Sequence, residues 1–392
     1  MTPDALVIGA GPAGLMAAEV LSKAGLSVLV AEAKPSPARK FLMAGKSGLN
    51  LTKIESETAF LRAYNPLPPQ VRAALNGFGP RDVVAWAEGL GREVFTGSTG
   101  RVFPTEMKAS PLLRAWLARL DGQGVSLKTR WRLMGIADGY TFDTPDGPVT
   151  LTPRVCVMAM GGASWARLGS DGAWVEMLGG AVPCAPFAPS NVGVLCDWTA
   201  HMSRHFGSAV KNIALTCGEF TSRGEMVISR NGLEGGGIYT VSRGLREGHP
   251  LRVDLLPDRT IEDIKQSLKQ RKKGESLSNT LRKRLKLPPE KAALFMEFRD
   301  AAGDIGSQIK SLETTGARPR PLEEAISTAG GVRCDGLTEG LALPSRPNLF
   351  FAGEMLDWDA PTGGYLLTAC LATGRHAALA AINAAATASR SE

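Results

Sequence analysis

Ala5-Leu6-Val7-Ile8-Gly9-Ala10-Gly11-Pro12-Ala13-Gly14 is the stretch on which the fold turns. An apolar strand runs into a glycine turn that opens a helix with apolar residues at helical spacing (Leu15, Ala18, Leu21). A second strand follows, Ser27-Val28-Leu29-Val30-Ala31-Glu32, closed by an acid. Strand, glycine turn, helix and acid-terminated strand in this order form the dinucleotide-binding unit. The three glycines serve different purposes. Gly9 permits the tight turn, Gly11 lets a pyrophosphate approach the backbone, and Gly14 lets the helix pack on the sheet. The helix starting near Pro12 directs free N–H groups and a positive dipole end at that pyrophosphate, while Glu32 can accept from ribose hydroxyls.

The unit begins within five residues of the N-terminus, so no charged leader with a cleavable apolar segment can be fitted. No uninterrupted run of about 18 apolar residues occurs. The 392 residues are enough for two or three domains with an enclosed cofactor. Six scattered cysteines (Cys156, Cys184, Cys196, Cys217, Cys334, Cys370) form no C-x-x-C pair, which points to a reduced, cytoplasmic setting and to no metal site. His201 and His205 stand four apart but lack a third ligand. The formal charge of +7 is concentrated: Ile261 to Lys291 holds ten basic residues against four acids. Such a segment is either a solvated helical face or a site for phosphates.

Beyond Glu32 the glycine-spaced stretch from Arg39-Lys40-Phe41 through Gly45 to Asn50-Leu51-Thr52 has neither helical nor strand period and reads as backbone wrapping a ligand. Helical patterns and short strands (about Ser126 to Val149) follow as excursions from the first sheet. The apolar strand Val155-Cys156-Val157-Met158-Ala159 then ends in Gly161-Gly162, a second place for close backbone approach. From Pro189 to Leu256, short alternating runs (Val192–Cys196, Ala209–Thr216, Glu225–Ser229, Gly237–Ser242) predict a barrel or sandwich. The basic helical segment comes next. The chain returns through Ala325–Val332 to the strand Asn348–Ala352 with Gly353-Glu354, and a glycine turn, Pro361-Thr362-Gly363-Gly364-Tyr365, opens a long Ala-rich helix.

The expected architecture is α/β: a Rossmann-type cofactor domain made from both chain ends and interrupted by an inserted β-rich and helical substrate domain. The predicted boundaries are 1–188 and 344–392 for the cofactor domain, 189–257 and 318–343 for the β-rich insert, and 258–317 for the basic helical subdomain. One dinucleotide fingerprint with a phosphate-type element at each end suits FAD, which is long and must be held at both ends. On this reading Glu354 binds a ribityl or pyrophosphate-side group. The N–H groups of Thr362 to Tyr365, at a helix start, lie by the flavin pyrimidine edge, where they stabilise negative charge on reduction.

Several blocks together resemble the BaiN/RdsA family of NAD(P)/FAD-dependent oxidoreductases: Arg39-Lys40-Phe41-Leu42 with Gly45 and Asn50-Leu51-Thr52; Gly100-Arg101-Val102-Phe103-Pro104 with Lys108-Ala109; Gly161-Gly162-Ala163-Ser164 with Leu168-Gly169-Ser170; Thr328-Ala329-Gly330-Gly331-Val332; and Phe351-Ala352-Gly353-Glu354 with Pro361-Thr362-Gly363-Gly364-Tyr365. The resemblance spans nearly the whole chain. It implies a Rossmann-type FAD-binding domain with an inserted β-barrel and helical subdomain. It further implies bound FAD and hydride transfer from transiently bound NAD(P)H through flavin to a carbon–carbon double bond, either of uracil in ribosomal RNA, giving dihydrouridine, or of a steroid-like enone. Ribosomal RNA would be met through the Lys265–Lys291 segment, and no membrane is involved. A third reading is an RNA- or ribosome-binding protein that keeps FAD only as structure.

The expected cofactor residues are Gly9, Gly11, Pro12, Ala13, Gly14, Glu32, Ala33, Arg39, Lys40, Gly45, Asn50, Gly161, Gly162, Gly353, Glu354, Thr362, Gly363, Gly364, Tyr365 and Leu366. Where many members read Gly-Gly-Gly-Arg-Cys-Asn, this chain has Gly45-Lys46-Ser47-Gly48-Leu49-Asn50, so a cysteine acid is replaced by Leu49. Where relatives have a Thr-His-Tyr-Gly type of run it has Arg230-Asn231-Gly232-Leu233-Glu234. The candidates for the acid are therefore Lys46, Arg230, Glu234 and Tyr239, with Arg101 and Lys108 as candidate substrate or phosphate contacts.

Overall fold

Residues 2–45 and 48–388 are described by the computed structural model. They divide into two compact units, one formed by the chain up to Ala188 and from Ser327 onward, the other by Pro189–Ile326.

The first unit is built on a six-stranded sheet in the order Ala342–Leu343, Arg346–Phe351, Val155–Met158, Ala5–Ile8, Val28–Glu32, Ser126–Thr129. All neighbours are parallel except the short edge strand Ala342–Leu343. Ala5–Ile8 and Val155–Met158 are buried at every position, as expected for central parallel strands covered on both faces, and their uninterrupted apolar composition follows from that. Ser126–Thr129, expected as part of an excursion, is the outer strand of this sheet. The excursion proper is the three-stranded antiparallel meander Arg132–Gly135, Tyr140–Asp143, Val149–Leu151.

Helix Pro12–Lys23 starts with Pro at its first turn, where the missing N–H costs nothing. It buries Leu15, Ala18 and Leu21, and also Glu19. The Glu19 carboxylate accepts from Trp116 Nε1 (2.7 Å) and Trp86 Nε1 (3.3 Å) and is ion-paired with Arg119 and Lys23. Burial pushes its pKa up, yet these partners outweigh burial and hold it below the ordinary value. The C-terminal helix Tyr365–Ala388 lies across this one. A Cβ on Gly374 would stand 2.2 Å from the Ala13 carbonyl oxygen, so two small residues set the helix separation. By length and composition the stretch Tyr365–Thr387 could cross a membrane, but 56% of its most apolar window is buried inside the protein. Ala369, Leu371, Ala372, Ala377, Ala378 and Ala381 belong to the core of the first unit.

The second unit is a seven-stranded antiparallel sheet in the order Leu312–Glu313, Leu251–Asp254, Ala209–Cys217, Phe220–Ser229, Gly232–Glu234, Val194–Leu195, Arg318–Pro319. Four helices (Ile261–Lys269, Leu277–Arg284, Pro289–Phe298, Ile305–Lys310) share its core through Ile264, Leu281, Leu294, Phe295 and Ile309.

Two expectations are corrected. Gly237–Ser242, read as a strand, lies in helix Gly236–Arg246: Ile238, Val241, Ser242, Gly244 and Leu245 are the buried positions, a helical spacing that short glycine-flanked alternation imitates. The 318–343 segment is not a return to the inserted sheet as a whole. Only Arg318–Pro319 joins it, whereas Ser327–Val332 pairs with Cys184–Ser190 and Ala342–Leu343 joins the six-stranded sheet. In Ser327–Val332 the glycines allow backbone contact that side chains would block: a Cβ on Gly330 would stand 2.1 Å from the Pro186 carbonyl oxygen.

Gly374→Ala should therefore destabilise the protein by about 1–3 kcal/mol, the usual range for overpacking, whereas Gly122→Ala, at a helix end where a Cβ meets nothing within 4 Å, should be neutral or slightly stabilising. Urea midpoints of the two variants check this.

Candidate functional site

The carboxyl ends of the parallel strands open into a groove of about 840 Å³, part of it open to solvent. This is where ligands sit in doubly wound sheets. Its floor is Ile8, Gly9, Gly11, Pro12 and Ala13. One side is Ala31, Glu32, Ala33, Trp131 and Leu133, another Ala38, Arg39, Lys40 and Phe41, and the far wall Met160, Gly161, Leu168, Gly169, Ser170, Gly353, Glu354 and Cys370.

Gly9 has φ +102°, and a Cβ there would meet the Ala159 carbonyl oxygen at 2.3 Å. Gly14 packs so close that a Cβ would stand 1.9 Å from the Gly9 carbonyl oxygen. Both glycines are required by the protein's own packing. Gly11 is different: it caps the helix in an extended conformation, φ −82°, and a Cβ would meet no protein atom within 4 Å. Nothing inside the protein demands glycine at 11, so the bare backbone faces the groove.

Glu32 is fixed by two backbone donors: Ala10 N–H to Oε2 (3.0 Å) and Lys34 N–H to Oε1 (2.8 Å). Burial raises its pKa, and the two N–H donors only partly offset this. Across the groove Lys40 donates to Ser164 Oγ (2.7 Å) and to both Glu354 oxygens (3.0 and 2.7 Å). Glu354 Oε1 also accepts from Thr328 N–H at 3.0 Å, and Thr328 Oγ1 accepts from Ala163 N–H at 3.0 Å. The two glycine-rich segments that the sequence places far apart are thus tied to each other. Two polar atoms lining the groove, Arg39 Nε and Ser170 Oγ, are buried with no hydrogen-bond partner, as is Asn50 Oδ1. A buried polar atom left unpaired costs roughly 1–3 kcal/mol, which a ligand's oxygens and hydroxyls would relieve. A bare helix N-terminus, unpaired polar atoms and an acid at the end of the second strand fit a dinucleotide.

Of the expected cofactor residues, Gly9, Gly11, Pro12, Ala13, Glu32, Ala33, Arg39, Lys40, Gly161, Gly353 and Glu354 line the groove. Others have a different occupation. A Cβ on Gly45 would stand 2.6 Å from the Ala109 Cβ, and one on Gly162 would stand 2.7 Å from Thr328, so their smallness serves helix and turn packing. Gly363 and Gly364 have φ +110° and +106°. A Cβ on Gly364 would run into Thr52 Cα at 2.5 Å, and one on Gly363 would meet Arg101 Nε at 3.1 Å. Tyr365 is buried, its hydroxyl accepting from Lys53 Nζ and donating to Glu55, with burial raising its pKa to about 12. Its carbonyl also accepts from the Tyr64 hydroxyl at 2.8 Å. Thr362 and Leu366 are half-buried at that same turn.

Lys46 lies outside the described residues. Arg230, Glu234 and Tyr239 all belong to the second unit. Arg230 is exposed. Glu234 is ion-paired with Arg320 (3.0 Å), which also donates to Ser229 Oγ at 2.6 Å. Burial raises the Tyr239 pKa. Ser170, quoted among the blocks that carry the resemblance, lines the groove, and so do Trp131 and Leu133, which have no mark in the sequence beyond that of any strand residue. No cluster of three metal-ligating side chains occurs among the described residues.

One residue expected on the basic face is reassigned. Lys291 is buried and donates to the carbonyls of Asn212 and Leu255, both at 2.7 Å, and burial lowers its pKa. It is a structural tether, and the exposed basic segment ends before it.

Fold and groove together define the class: a Rossmann-type dinucleotide-binding protein. The sequence profile described as "HI0933-like protein Rossmann domain" matches residues 3–380, and the chain belongs to that family. It is similar to two proteins named ribosomal RNA dihydrouridine synthase. That of Escherichia coli K12 is 25% identical over 92% of this chain and 94% of its own length, and that of Haemophilus influenzae Rd is 24% identical over the same shares. Among solved structures, the open conformation of a flavocytochrome c3 fumarate reductase aligns with a TM-score of 0.51 at 15% identity, over 98% of this chain and 78% of that one. The 3-ketosteroid Δ1-dehydrogenase from Sterolibacterium denitrificans aligns at 0.50 and 13%, over 98% and 100%. At these identities the structural likeness concerns the fold.

The Glu32 environment gives a pH test. A carboxyl whose pKa is raised on folding adds most stability below its unfolded value, and that contribution is lost as pH rises through the folded value. The stability of the parent relative to Glu32→Gln should therefore fall as pH rises from about 4.5, the ordinary value, into the neutral range. Urea midpoints that stay parallel across that window would contradict the assignment.

Proposed function

We propose that this protein is an FAD-dependent reductase of activated C=C bonds, with NAD(P)H as a transient reductant and uridine in ribosomal RNA as the substrate. The observation carrying the cofactor reading is Gly11, a glycine with open space in place of any internal packing role, in a groove where two buried polar atoms, Arg39 Nε and Ser170 Oγ, lack protein partners. The substrate reading is supported by the two relatives' names over nearly their full lengths.

When bound, FAD would supply the redox step, accepting hydride from the nicotinamide and passing hydride to an electron-poor carbon. The remaining work falls to the chain. The Gly11–Gly14 turn and the helix dipole would hold the pyrophosphate with Arg39. Glu32 and Ala33, beside Trp131, would take the adenosine ribose, and Glu354, oriented by Lys40 and Thr328, a hydroxyl on the ribityl side. Gly161 and Gly353 would shape the wall, with Asn50 as a polar contact. The turn Thr362–Leu366, with its N–H groups at the start of a 24-residue helix, would stabilise negative charge at the reacting ring. The candidates for proton delivery remain Lys46, Arg230, Glu234 and Tyr239.

Two outcomes are expected. Gly11→Val should purify colourless while melting within a few degrees of the flavin-stripped parent, because the side chain fills pyrophosphate space and its Cβ meets no protein atom within 4 Å. A variant that stays fully yellow would remove the cofactor from this motif. Deleting the gene should abolish one dihydrouridine site in ribosomal RNA, measured by nuclease digestion and mass spectrometry, and the restored gene should return it. Unchanged dihydrouridine content would exclude RNA as substrate and leave a small enone.

A further inference from the structure

The second unit carries a positive surface much narrower than the sequence segment that announced it. Lys291 is buried, Lys265 lies 3.6 Å from Asp304, and Glu262 and Asp263 sit in the first turn of helix Ile261–Lys269, where Asp263 forms a capping box with Thr260. What is left is the loop 270–276 and helix Leu277–Arg284. Glu275 is the one carboxylate of that stretch, and it is already taken. Arg284 lies 3.3 Å from it, the Lys272 N–H donates to it, and Lys283 acts on it electrostatically, while Arg271 donates to the Glu275 carbonyl at 2.8 Å. These contacts gather Arg271, Lys272, Lys283 and Arg284 around Glu275.

Lys269, Arg271, Lys272, Lys273, Arg282 and Lys283 are exposed and form no ion pair among the described residues. On a solvated helical face, charges of opposite sign alternate and pair at i,i+4. Here cations of one sign are crowded together, and the crowding is unfavourable until an anion meets them. We propose that this loop and helix are a phosphate-binding surface for RNA, an inference that rests on the reading of RNA as substrate. A membrane surface is disfavoured because binding there needs apolar side chains beside the charges, and none of the exposed large hydrophobic residues falls between 261 and 291. A phosphodiester chain needs only cations spread along its path, and both guanidinium and ammonium groups are provided.

The test uses the FAD-loaded protein with a fluorescein-labelled RNA hairpin, followed by anisotropy over a range of salt concentrations. The triple variant Lys272→Glu, Lys273→Glu, Lys283→Glu should bind at least tenfold more weakly at low salt. Its slope of log affinity against log salt should be shallower by about two, since each phosphate contact contributes about 0.7 on single strands. The triple Lys→Arg variant should bind like the parent. Flavin content and flavin reduction by NAD(P)H should be equal in all three proteins. Unchanged affinity and slope in the Glu variant would overturn the proposal, and so would a parent that ignores the hairpin but binds vesicles of anionic phospholipid. A parent that binds the hairpin through these lysines, in cells whose dihydrouridine content does not depend on it, would keep the surface and reject the substrate.

Discussion

The first unit depends on backbone approaching backbone where no side chain fits. Gly14 stands against Gly9, Gly9 against Ala159, and Gly374 against Ala13, each closer than a Cβ could tolerate. Strand Ala5–Ile8, helix Pro12–Lys23, strand Val155–Met158 and helix Tyr365–Ala388 meet at these points. The distances there set the height of the helix N-terminus above the sheet. Enlarging any one of these glycines would move the floor of the groove.

Gly11 acquires its meaning from this arrangement. Gly9 and Gly14 on either side are glycine because the protein packs on itself, whereas at Gly11 the space is left open. The polar groups around that space follow the same division. Glu32, Lys40, Thr328 and Glu354 are held in place by hydrogen bonds of 2.7–3.0 Å to backbone and to one another, while Arg39 Nε and Ser170 Oγ are left without partners. The first set is preorganised and the second is free to take a ligand, the pattern expected of a site that is ordered before binding rather than during it.

The Rossmann core was legible because its signals are local: a strand, three glycines and an acid within thirty-two residues. The two-ended construction was also legible, since Asn348–Ala352 reads as a buried strand. Strand partners were not, because pairing across more than a hundred residues leaves no local mark. The return of Ser327–Val332 beside Cys184–Ser190 was therefore misplaced, and Gly237–Ser242 was read with a period of two when its burial has a helical one. Glycines could be found but not sorted. From sequence Gly11, Gly45 and Gly162 look equivalent, and only their surroundings separate a ligand-facing glycine from those that accommodate Ala109 and Thr328. A charge run has the same ambiguity, resolved at Lys291 by two carbonyl oxygens.

That the groove holds a flavin working as a redox carrier is the central claim. It is tested most directly by the visible spectrum of the protein purified without added cofactor, followed by anaerobic addition of NADH and of NADPH. The predicted result is a yellow protein, with one FAD per chain, that is bleached by at least one of the two nicotinamides. A protein that binds no flavin, or a bound flavin that neither nicotinamide reduces, would contradict it.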